Sequence, residues 1–141
     1  MSREEIQKAI LEERRLTQAM EEVYRELSAL ERTIFERRAA ISTINEDLKE
    51  PLSDKTTLVP IGGGVFMHSS LTSVDSVLVN VGSNIFLTKK KNEAKEFLEK
   101  SIEMLEKAYK ERTSLFDQLR KKHSEVYSQL LEYQIKAEKK D

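Results

Sequence analysis

No glycine or proline interrupts the first fifty residues, and apolar side chains recur there on one narrow stripe. With Ile6 as position a of a heptad, the a positions are Ile6, Glu13, Met20, Leu27, Ile34, Ile41 and Leu48. The d positions are Ala9, Leu16, Val23, Leu30, Arg37 and Ile44, so eleven of the thirteen are apolar. A stripe this narrow and this long, with Glu and Arg on the remaining faces, requires a second helix laid along it. At about 1.5 Å per residue the run spans roughly 70 Å. Ser2 followed by Glu5 has the spacing of a capping box, and Pro51 closes the run because a proline further in would clash and remove a backbone hydrogen bond. Residues 51–55 read as a turn or linker.

Composition changes abruptly beyond that point. Residues 56–88 hold all four glycines, one of the two prolines and most of the valines. β-Branched residues between turn formers predict strands at 56–61, 65–72, 76–81 and 84–88, paired as two hairpins. Gly62-Gly63-Gly64 supplies the first turn, residues 72–75 a connection, and Gly82-Ser83 the second turn. The glycine run lacks the Gly-Lys-Ser/Thr ending of a phosphate loop and leads into a strand, so it is read as a turn. Val77, Val79 and Val81 share one face of the third strand, and Leu78 and Asn80 the other.

Two small hairpins cannot close a barrel or bury both of their faces alone, and open strand edges pair with other chains. The insertion is therefore expected to be an assembly surface, built on Leu58, Val59, Ile61, Val65, Phe66, Val77, Val79, Val81, Ile85 and Phe86.

A second heptad run follows the insertion. Its d positions are Leu98, Leu105, Arg112, Leu119, Val126 and Tyr133, and its a positions are Ile102, Tyr109, Phe116, His123, Leu130 and Ala137. The fold class expected is α+β: a long antiparallel two-helix coiled coil, residues 1–50 and 92–141, with a linker and two β-hairpins, 51–91, inserted between the helices. Pairing the runs brings Ile6 to Leu16 beside Leu130 to Ala137. Ile10, Leu11, Leu131 and Ile135 lie off the seam at that end, and by heptad position Leu11, Leu131 and Ile135 point outward. Clustered exposed apolar residues mark an interaction surface; the bland alternative is frayed termini or extra packing in a supercoil that has lost register. Phe35, Phe97 and Met104 are also off the seam, and Phe97 is placed to pack against the insertion.

Little here resembles a catalytic site. Lys+Arg 24 against Asp+Glu 25 leaves a net charge of -1, which disfavours nucleic acid and anionic membranes. The absence of cysteine excludes disulfides and thiolate chemistry. The acidic N-terminal residues do not form a signal peptide and no apolar run approaches the ~20 residues of a membrane span, so a cytoplasmic protein is expected. His68 and His123 have no second ligand at metal spacing, and His123, like Glu13, Arg37 and Arg112, reads as a polar seam residue that sets register. Lys89-Lys90-Lys91, with Lys95 nearby, reads as a solvated junction. Tyr109, Tyr127 and Tyr133 lack the interleaved basic residues of a base-stacking platform. Neither enzyme activity, cofactor nor metal is expected.

Helix, two hairpins, helix in about 140 residues resembles the archaeal-like α-type subunits of prefoldin. Leu58-Val59-Pro60-Ile61-Gly62-Gly63-Gly64-Val65-Phe66 is similar to that family's hairpin signature, and Val77-Leu78-Val79-Asn80-Val81-Gly82-Ser83 to its next strand and turn. The likeness spans the chain in architecture, but in identity it is concentrated between Leu58 and Phe86. The chain departs from the family pattern after Phe86, where Leu87-Thr88-Lys89-Lys90-Lys91 replaces a Glu-containing stretch.

The resemblance implies an ATP-independent molecular chaperone. It would be a hetero-hexamer of two α-type and four prefoldin β-type subunits, with the hairpins of all subunits joined in an intersubunit β-barrel. Non-native client proteins would be held at the coiled-coil tips by Ile6, Ile10, Leu11, Leu130, Leu131 and Ile135 and passed to a group II chaperonin. The alternative is a structural, filament-forming or tethering coiled coil with no client.

Overall fold

A computed structural model describes residues 2–46, 48, 56–71 and 75–140. The linker expected at 51–55 and most of the connection at 72–75 lie outside the described residues. The order of elements is α1 (Arg3–Glu46), β1 (Thr56–Gly62), β2 (Val65–Ser70), β3 (Ser76–Asn80), β4 (Phe86–Lys90) and α2 (Lys91–Lys139). Two long helices therefore flank two antiparallel hairpins, as the pattern of periods predicts. The chain divides into two compact units: Met1–Thr33 with Leu105–Asp141, and Ile34–Met104.

The first unit is a pair of antiparallel helical segments. Glu13 on α1 meets His123 on α2 at 3.0 Å, Glu26 meets Arg112 at 2.9 Å, and Glu31 accepts from the Tyr109 hydroxyl at 3.1 Å. Partners on α2 thus run backward as those on α1 run forward. Leu16 and Val23, both d positions, are 2% and 5% exposed. Burying a side chain of this size is worth about 1.5–3 kcal/mol, so this seam and not helix propensity holds the segments together. Every α1 seam position from Ile6 to Leu30 is at least half-buried, whereas α2 is exposed at every described residue after Leu130. That end of α2 has run past Ile6, the first seam residue α1 offers. Ser2 caps α1 as expected: its hydroxyl accepts from the Glu5 amide at 3.2 Å and its own amide donates to the Glu5 carboxylate at 2.9 Å.

In the second unit Ile34 on α1 and Ala94 and Ile102 on α2 are buried, and the Lys91 ammonium donates to the Leu48 carbonyl at 3.0 Å. Strand β1 pairs with β2 through Val59↔Met67 and Pro60↔Phe66, with a bulge between Pro60 and Gly62. Gly63 and Gly64 turn the chain at φ 60° and 77°, values open to glycine because it has no Cβ.

Strand β3 pairs with β4 through Val77↔Lys89, Val79↔Leu87 and Asn80↔Phe86. The second turn is longer than the sequence implied. Ser83 and Asn84 both take positive φ, 52° and 58°, the Ile85 amide donates to the Gly82 carbonyl, and the Asn80 side chain accepts from the Gly82 amide. Strand β4 consequently starts at Phe86 instead of Asn84 and continues through Lys89 and Lys90. Helix α2 follows without a gap, its first turn tied back by the Lys90 amide donating to the Glu93 carboxylate at 3.4 Å. Among the described residues α1 stops at Glu46, short of residue 50.

Candidate interaction surfaces

The hairpins carry their apolar residues on the outside. In β1–β2 strand alternation puts Leu58, Pro60 and Phe66 on one face and Val59, Ile61, Val65 and Met67 on the other. Leu58, Val59, Ile61, Val65, Phe66 and Met67 are all exposed, between 42% and 58%. An apolar two-faced ribbon of this kind has no core within its own unit.

The β3–β4 hairpin differs. Val79 is buried and Val77, Val81 and Lys89 are half-buried, while Leu78, Ile85, Phe86 and Leu87 are exposed. The Lys89 ammonium lies 5.9 Å from the centre of the Phe97 ring, a cation–π contact that brings Phe97 against the insertion as its position off the seam led us to expect. Of the ten residues expected to build an assembly surface, Val77, Val79 and Val81 thus lie on a side already covered. The other seven face outward, and Met67, Leu78 and Leu87 join them although the sequence reading did not single them out.

The helical pair carries a second exposed cluster. Leu11, Leu131 and Ile135 are exposed, and Ile10 stands at the margin at 38%. Ile6 and Leu130 are half-buried in the seam beside them. All six lie in the stretches where α1 begins and α2 ends, but the Glu13–His123 pair sets a register that puts Leu130 level with Ile6. From Leu131 onward α2 therefore runs past the α1 seam instead of lying beside residues up to Leu16 as the sequence implied.

One polar layer crosses the seam next to this cluster. His123 donates through Nε2 to the Glu13 carboxylate, the Thr17 hydroxyl donates to the same carboxylate at 3.1 Å, and the His123 ring stacks on Tyr127 with centroids 6.0 Å apart. The bond from His123, followed by that from Thr17, holds the Glu13 carboxyl below its ordinary range. Glu12 is lowered likewise by the Arg15 guanidinium, which donates to it at 2.8 Å. Carboxylates stabilised in this way are structural partners, not acids poised to give up a proton near neutral pH.

Tyr109 is shifted upward by its bond to the Glu31 carboxylate, which favours the protonated phenol. Of the remaining polar seam residues, Arg112 pairs with Glu26, while Arg37 Nε is shielded and has no hydrogen-bond partner among the described residues. No group of three or more His, Asp or Glu side chains is placed to hold a metal among the described residues. No helix among them is long and apolar enough to cross a membrane.

Sequence reasoning passed over a groove on the helical pair. It has a volume of about 480 Å³ and is walled by Met20, Tyr24, Phe116 and His123, with Glu21 and Arg25 contributing charge. The signal was available: Tyr24 occupies an e position, four residues after the seam residue Met20, and a large aromatic there has no seam to enter.

Comparison with known proteins agrees with this architecture. The family model for the prefoldin subunit matches residues 16–136. Prefoldin subunit alpha 1 of Methanocaldococcus jannaschii is 34% identical over 111 residues, covering 77% of this chain and 78% of that protein. Prefoldin subunit alpha of Archaeoglobus fulgidus is 27% identical over 135 residues, covering 96% of this chain and 98% of that one. The cryo-EM structure of filamentous PFD from Methanocaldococcus jannaschii superposes with a TM-score of 0.69 at 25% identity, over 87% of this chain and 98% of that chain.

Proposed function

This chain belongs to the prefoldin family of chaperones, and we propose that it works as an α-type subunit that holds non-native proteins without nucleotide. The observation that carries this reading is the exposed cluster Ile10, Leu11, Leu131 and Ile135 at one end of a helical pair whose other large apolar residues are mostly in the seam. A client segment laid on it removes apolar area from water at about 25 cal/mol per Å². One such contact is weak, and several subunits in one assembly raise the total through effective concentration. Weak contacts let go without hydrolysis.

The exposed hairpin residues Leu58, Val59, Ile61, Val65, Phe66, Ile85 and Phe86 support assembly through a shared β-barrel, in a hetero-hexamer of two α-type and four β-type subunits. In this reading the client is handed to a group II chaperonin in the cytoplasm. Replacing Leu11, Leu131 and Ile135 together by Ser tests client holding. Suppression of aggregation of a chemically denatured protein is expected to fall while the assembly mass stays the same. Full suppression by the triple variant contradicts the reading.

A second reading is favoured by one observation. The superposing structure from Methanocaldococcus jannaschii is filamentous, so the same exposed hairpins would also serve an open-ended assembly. Particle length in negative stain separates the two.

A further inference from the structure

The unit made of residues 3–33 and 105–139 has two unlike sides. In an antiparallel helical pair the e positions of one helix flank the e positions of the other, and g flanks g. On the e side, Tyr24 is 64% exposed, Tyr127 50%, Leu131 41% and Ile10 38%, with Ile10, Thr17 and Tyr24 spaced seven residues apart along α1. The groove opens on this same side, since Thr17, Glu21 and Tyr24 line it from e and b positions.

On the g side the surface is charged: Glu12, Arg15, Glu22, Glu26, Lys122 and Glu125 occupy its g and c positions. Arg15 pairs with Glu12 at 2.8 Å and Arg112 with Glu26 at 2.9 Å, so part of that charge is already engaged.

We propose that this e side, and not the end of the pair alone, is the surface that holds a non-native chain, with the groove taking one large apolar or aromatic side chain of an extended segment. The inference rests on the chaperone reading above and says which side does the work. The strip runs from Leu131 through Tyr127 and the stacked His123 ring into the groove, so it is continuous with the end cluster.

A second copy of this chain is the weaker occupant. A stable interface needs about 800 Å² and 20–30 residues from each partner. Here four exposed apolar side chains are spread over roughly 20 Å of helix and separated by Arg14, Glu21, Arg120 and Ser124. Interrupted apolar contacts suit a flexible polypeptide that supplies one side chain at a time. His123 keeps its ring nitrogen on Glu13, which leaves the ring face and Tyr127 as apolar wall.

The test places a benzoylphenylalanine photocrosslinker at Tyr24, at Leu131 and at Gln118 on the charged side, in the full chain as assembled. The probe is fluorescein-labelled, reduced and carboxymethylated α-lactalbumin. Crosslinks at positions 24 and 131 but not at 118 are expected. Tyr24→Glu is expected to weaken probe binding by about tenfold, the loss for one large apolar contact, while Gln118→Glu leaves it unchanged. Crosslinking at 131 alone, with Tyr24→Glu binding normally, overturns the inference and leaves the end-cluster reading intact. Equal crosslinking at 24 and 118 overturns the sidedness. No crosslink at any position removes both.

Discussion

The helical pair and the hairpins use the same apolar residue types to opposite ends. Along α1 every seam position from Ile6 to Ile44 is at least half-buried within the chain, and Leu16 retains only 2% of its surface. In β1–β2 Leu58, Ile61 and Phe66 each keep more than half of theirs. A heptad stripe occupies one side of a helix, so a single partner helix covers it, and the chain contains that partner. A short ribbon that is apolar on both faces needs cover on two sides, which a second hairpin placed elsewhere in the chain does not provide. The seam is thus completed by folding, while the ribbon is left uncovered, which is what the proposed assembly would use.

The largest expected effect breaks the ribbon side of this contrast. Leu58→Asp with Phe66→Asp removes two apolar groups worth about 1.5–3 kcal/mol each from any shared interface and is expected to weaken assembly by more than about a hundredfold. Light scattering should show the mass fall while helical circular dichroism is kept. An unchanged mass places the interface elsewhere.

Next comes the seam. Leu16→Ala is expected to lower unfolding stability by about 2–5 kcal/mol, read as a drop in melting temperature, since it leaves a cavity in a closed layer.

A smaller, pH-dependent effect is expected at Glu13, whose folded carboxyl lies below its ordinary value of 4.5. A lowered carboxyl stabilises the fold above its unfolded value and loses that contribution as pH falls through the folded one. Wild type should therefore melt above Glu13→Gln at pH 7, and the gap should close in acid, as pH falls through the lowered folded value and the Glu13 carboxyl takes up its proton. A gap that persists in acid puts the effect in packing instead. The smallest change expected is Ser2→Ala, which removes one cap bond at an exposed end; faster amide exchange in the first turn of α1, with little shift in melting, would sharpen the contrast between end and seam.

How much of this was legible depends on whether the signal was local. The α1 seam was readable at all twelve positions from Ile6 to Ile44 because a repeat of seven does not depend on where the partner helix lies. The exposed Leu11, Leu131 and Ile135 were readable from the same count. The start of β4 was not. Asn84 reads as strand by its place between Gly82 and Ile85, but its positive φ makes it turn, and pairing with Ser76 and Val77 draws Lys89 and Lys90 into a strand they do not favour.

The covered side of β3 was also hidden. Val77, Val79 and Val81 read as a free apolar face because a strand pattern shows which residues share a side, not which side the chain itself will cover. Tyr24 was legible as an aromatic off the seam, but the groove beside it was not, because its walls Phe116 and His123 come from the other helix and depend on the register of the pair.

The mass of the native assembly tests the central claim most directly, measured for this chain alone and after coexpression with a prefoldin β-type subunit. Two copies of this chain with four of the other, and dissociation by Leu58→Asp with Phe66→Asp, is the result expected. A stable single-chain species in both preparations, with helices intact, contradicts it, because the ribbon would then need no other chain to cover it.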